Sequence, residues 1–85
     1  MSFYKATCQQ LDSKYKRLLE LESIYEEKHP KDSYVHDFYT HKSMIWSNIL
    51  KAKEPTSTLQ CVDMVMWSLD TNINLFERLT TSSAT

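Results

Sequence analysis

An 85-residue chain with 41% hydrophobic and 25% charged residues has ordinary globular composition and is long enough for one domain. Its net charge of −1 is too small to draw it over long range toward nucleic acid or an anionic membrane. Glycine is absent, so phosphate-cradling loops, dinucleotide-binding turns and most tight hairpins, which need positive φ or close backbone approach, lose their basis together.

The chain opens with MSFYKATCQQ, which has neither a basic leader nor an apolar run, and no later stretch nears the ~18 consecutive apolar residues of a membrane span. A soluble, cytoplasmic chain without membrane attachment is the expectation. Cys8 and Cys61 are then expected as free thiols, because two cysteines in a reducing compartment do not make a disulfide framework.

From about residue 2 to 28, Tyr4, Cys8, Leu11, Tyr15, Leu18 and Tyr25 recur at helical spacing. With Phe3, Leu19 and Leu21 they cover an arc of roughly 160° at about 100° per residue. The KYKR cluster at 14–17 is the best nucleic-acid candidate, but ELE and YEEK follow it on the same helix. Intrahelical ion pairs at i, i+4 on a solvated face account for such charges better than a phosphate-binding stripe. His29, before Pro30, is expected to end this helix with its ring near the free carbonyl groups.

A second helix is expected from Asp32 or Ser33, either of which can cap it, to about Lys53. Tyr34, Val35, Phe38, Tyr39, Ile45, Trp46, Ile49, Leu50 and Ala52 form another arc of roughly 160°. Within it VHDFYTH resembles a metal cluster only at first sight. His36 and His41 are five residues apart and diverge by about 140°, so they cannot share a metal as an i, i+4 pair can. Asp37 and His41 are four apart, which predicts a charge-assisted hydrogen bond between their side chains.

The third helix, about 57–79, is expected to be capped by Thr56 or Ser57 and is unlike the others. Leu59, Val62, Met66, Leu69, Ile73 and Phe76 follow a 3, 4, 3, 4, 3 spacing, the seam of a coiled-coil-like packing. On the same wheel Met64, Trp67 and Leu75 cluster roughly 170° away, with Cys61 and Leu79 at the flank. One apolar side can pack on a hairpin of the first two helices, but no fourth helix is present to cover the other. The plainer alternative, scattered surface apolars, needs no partner. Tryptophan and methionine, however, are residue types enriched at interface cores.

Breaks of about five residues at KHPKD and KEPTS join the three segments and predict an all-α, antiparallel up-down-up bundle. Residues 1–80 are expected to form a single helical domain and 81–85 a disordered tail. No cofactor, metal or catalytic residue is expected. Cys8 lies on the core stripe, and Cys61 has Gln60 and Asp63 rather than a base beside it. The functional expectation is a non-enzymatic protein acting through protein–protein contact, as a regulator, inhibitor, adaptor or accessory chaperone. Cys61, Met64, Trp67, Leu75 and Leu79 would face a partner or a second copy in a homodimer. A nucleic-acid role through Lys14 to Arg17 is the alternative, and a small enzyme or metal protein at His36, Asp37 and His41 has the weakest support.

Overall fold

In the computed structural model residues 2–83 are described, with side chains from 6 to 81. Three helices account for nearly all of them: α1 (Ser2–Lys28), α2 (Ser33–Ala52) and α3 (Leu59–Ser83). There is no strand among the described residues.

The helix ends show which polar side chains won the competition for free backbone groups. Asp32, in extended conformation at φ −71° and ψ 147°, caps α2 by accepting a hydrogen bond from the Tyr34 N–H at 3.1 Å. Ser33 is therefore the first helical residue. The expected caps of the third helix, Thr56 and Ser57, are displaced by Thr58, whose hydroxyl accepts from the Cys61 N–H at 3.1 Å. Ser57 instead donates its N–H to Glu54 at 2.9 Å and belongs to the turn. At its other end α3 continues through Ser83, past the expected stop at 79, and residues 84–85 of the expected tail lie outside the described residues. Both connections are made without positive φ among the described residues, in keeping with a chain that has no glycine.

Side-chain pairings fix the helix directions. Passing up α1, Asp12 meets Lys53 at 2.8 Å, Tyr15 stacks against Trp46 with ring centroids 5.0 Å apart, and Glu26 accepts from the Tyr39 hydroxyl at 2.7 Å. The α2 partners descend in number as the α1 residues ascend, so these helices are antiparallel. Lys14 meets Asp70 at 2.5 Å and Tyr25 meets Phe76 with centroids 6.0 Å apart, so α1 and α3 run parallel. The result is an up-down-up rod of 44 × 22 × 16 Å, about as long as α1 itself.

Leu11, Leu18, Leu21 and Tyr25 of α1 are buried against Leu69, Ile73 and Phe76 of α3, and this pair of helices makes the most extensive contact. From α2, Val35, Phe38, Ile49 and Ala52 complete the core. The α2 arc is narrower than its sequence suggests: Tyr34, Tyr39, Trp46 and Leu50 are exposed. Only a seam at 35, 38, 42, 45, 49 and 52 faces inward, with the same 3, 4 alternation as α3. Lys42 occupies one position of that seam. Leu59, expected at the head of the α3 seam, is 63% exposed because it lies in the first turn, at the end of the rod.

Candidate functional site: a groove between α2 and α3

Met64 and Trp67 are the most exposed large apolar side chains described, at 64% and 70%, and Leu59 stands beside them. They border an open groove of about 770 Å³ whose far wall is Ile45 and Asn48 of α2. A second groove of about 400 Å³, between Tyr34, His41 and Met44 of α2 and Asn72 and Leu75 of α3, shares Ile45, Asn48 and Ser68 with the first. The two therefore form one channel along the α2/α3 seam, where helix contact is lighter than between α1 and α3.

Five residues of α3 were singled out from the sequence, and the structure divides them. Cys61, Met64 and Trp67 line the first groove and Leu75 the second, whereas Leu79 packs against the core cluster. The α2 wall, with Met44 60% exposed, was not anticipated. Its signal was present, because Met44 and Asn48 flank the Ile45 position of the seam at i−1 and i+3.

Trp67 differs from Trp46 in exposure, 70% against 39%, and also in its local partners. Trp46 is stacked on Tyr15, and the Lys53 amine sits 6.0 Å from its ring centre. Tyr39 donates to Glu26 and lies under Lys42, 5.6 Å from its ring centre. Trp67 has no such ring or cation contact among the described residues. Around the groove the charged lining residues are Asp37 and Asp63, with His41, and neither carboxylate is in an ion pair among the described residues.

The remaining polar candidates are engaged structurally. His41 Nδ1 donates to the Asp37 backbone carbonyl at 2.9 Å, so the expected bond to the Asp37 carboxylate is replaced by one to its main chain, and Nδ1 must carry the proton. His36 is exposed, and no group of three His, Cys, Asp or Glu among the described residues could hold a metal ion. Replacing His36 and His41 together with Gln is expected to change stability by only a few tenths of a kcal/mol. Thermal melts read this, and loss of a stoichiometric metal would contradict it. His29 lies with its ring 4.7 Å from that of Tyr25, while its N–H closes the last turn on the Tyr25 carbonyl at 2.9 Å. In the basic cluster Lys14 reaches across to Asp70, and Arg17 lies 3.9 Å from Glu20 at i, i+3 rather than the expected i, i+4. Cys8 and Cys61 are free and half-buried.

Glu22, expected on the solvated face with the other acids of ELE and YEEK, is instead turned inward. Glu22 is only 4% exposed, and its Oε1 has no hydrogen-bond partner. Burial, then a hydrogen bond and repulsion from Glu26, push its carboxyl up to about 7 against a partial counter-pull from Lys42. Tyr39, donating to Glu26, has its phenol raised in turn by that bond. A carboxyl that holds its proton near neutrality can serve as a general acid, but Glu22 does not line the cavity that Glu26 and Tyr39 border.

No helix among the described residues is long and apolar enough to cross a membrane. No protein-family model, curated protein or solved structure matches this chain.

Proposed function

We propose that this chain is a non-catalytic, cytoplasmic protein that works by protein–protein contact, as a regulator, inhibitor, adaptor or accessory chaperone. Its contact surface is the outer face of α3 at Met64, Trp67 and Leu75, with Cys61 at the edge. The observation that carries the reading is Trp67, 70% exposed at the lip of an apolar groove and without an intrachain ring or cation partner among the described residues. A large rigid ring beside adaptable methionines is the composition of an interface anchor. A nucleic-acid role gains nothing, since Lys14 and Arg17 both have acidic neighbours within the fold.

Two adjacent substitutions test this. Met66 packs against the core, and Met66→Asp is expected to cost about 1–3 kcal/mol of stability, the carboxylate being only half-buried. Trp67→Asp should leave helicity and melting nearly unchanged while removing about 2 kcal/mol or more of binding to whatever occupies the face. Circular dichroism and affinity capture with wild-type and variant chains read the two effects. Unfolding by Trp67→Asp, or identical captured proteins from wild type and variant with a monomeric wild type, would overturn the proposal.

A further inference from the structure

We infer that the α2/α3 groove receives an amphipathic helix of another protein, about a dozen residues long and carrying lysine or arginine near both ends. This rests on the reading of the outer α3 face as a contact surface and adds the chemistry of the occupant.

The walls argue for a helix. They are two antiparallel helices that touch each other lightly, and a further helix laid between them completes a four-helix packing without disturbing the core. On α3 the lining runs from Leu59 to Phe76, and its stretch between Asp63 and Leu75, about 18 Å at 1.5 Å per residue, is spanned by a docked helix of about a dozen residues. An extended segment would gain no main-chain partners here, because helix backbones are already hydrogen-bonded internally. Met44 and Met64, facing the channel from opposite walls, can adapt to bulky apolar side chains placed at i, i+4 and i+7.

The charge of the occupant follows from what the groove holds. Asp63 lies in the first turns of α3, and Asp37 lies at the other end, next to Phe38, whose ring packs on Phe76. No Lys or Arg is among the lining residues of either groove. A two-fold pairing of this face with a second copy would therefore bring carboxylates together with no lysine or arginine to meet them. A helix with a cation near each end meets both.

The probe is a displayed library of 14-residue helices. Positions facing the groove vary among Leu, Phe, Met and Ala, and flanking positions vary among Lys, Gln and Glu. Panned against the full chain, it should enrich Lys over Glu at both ends by on the order of threefold to thirtyfold, the worth of two rim ion pairs. The preference should fade at high salt and disappear on the double variant Asp37→Asn, Asp63→Asn, while the apolar preference persists. Enrichment of Glu, or indifference to flank charge, would overturn the basic occupant and leave the contact face standing. A wild-type dimer in sedimentation that Trp67→Asp dissociates would likewise overturn it, by making a second copy the occupant. Absence of any enrichment above a Trp67→Asp control would overturn both the occupant and the contact face.

Discussion

Phe76→Ala is expected to cost about 3–5 kcal/mol, and with it most of the stability that a chain of this size commands. Phe76 is 2% exposed, and its ring meets Tyr25 of α1 at 6.0 Å and Phe38 of α2 at 5.7 Å between centroids, both edge to face. It is thus a single α3 side chain that touches both other helices at once. Truncation forfeits the buried area and both ring pairs, and leaves a cavity that three helices would have to collapse together to close. A domain of 85 residues holds roughly 4–13 kcal/mol in total. The melting temperature should therefore fall by roughly 12–40 °C, at about 4–8 °C per kcal/mol, or the chain should be unfolded at 25 °C. Phe76→Leu, which keeps most of the volume but forfeits both ring pairs, should cost less, about 1–3 kcal/mol. Thermal melts followed by far-ultraviolet dichroism decide it, and a loss below about 1 kcal/mol for Phe76→Ala would remove Phe76 from the sealed layer.

Glu22→Gln should do the reverse and stabilise the chain, but only above acidic pH. The folded state holds the Glu22 proton up to about pH 7, whereas an unfolded glutamate releases it near 4.5. Between those values the folded chain binds more protons, so stability contributed at this site is fully present below about pH 4.5 and is lost as pH rises through 7. The ceiling is about 3 kcal/mol at ~1.4 kcal/mol per pKa unit, and it belongs to the Glu22–Glu26 pair rather than to either carboxyl alone. At pH 8 the variant should be more stable than wild type by about 1–3 kcal/mol, and at pH 4 the two should be nearly equal. Asp32 acts with opposite sign. The Tyr25 hydroxyl, donating at 2.5 Å, and then the Tyr34 N–H hold its carboxyl below the usual range, so its contribution is lost as pH falls below about 4. Urea unfolding from pH 3 to 9 should thus show wild type most stable on the mildly acidic side. A wild-type curve that is flat from pH 5 to 8 would mean that the Glu22 carboxyl is hydrated.

The three helices, their order and most of the α3 seam were legible in the spacing of apolar residues, because a wheel reports direction and direction is what the 3, 4 alternation encodes. A wheel does not report how far neighbouring helices reach, and so it admitted Leu59 to a core that it does not enter. Nor does it report how closely two helices approach. The α2 face was read as broad for that reason, and the groove with its Met44 and Asn48 wall was not foreseen. Glu22 was misjudged on a different ground. It lies four residues after Leu18 and three before Tyr25, squarely on the inward stripe, and its charge argued for the outside more loudly than its position argued for the inside. Lys42 stands in the same relation to Phe38 and Ile45 on α2. Of the residues expected on the outer face, Met64 and Trp67 are exposed as direction alone predicts, whereas Leu79, at the boundary between the two arcs, packs against the core.

The strongest helix contact joins the first and last helices, and this sets the order in which the molecule can be made. As synthesis proceeds from the N-terminus, α1 and α2 emerge as a hairpin joined by a much lighter contact than that of α1 with α3, with Leu11, Leu18 and Leu21 still waiting for their main covering. That covering arrives only with Leu69, Ile73 and Phe76 of α3. The nascent hairpin consequently carries an uncovered leucine stripe until α3 has emerged, so closure of the core waits on the last of the three helices to be made.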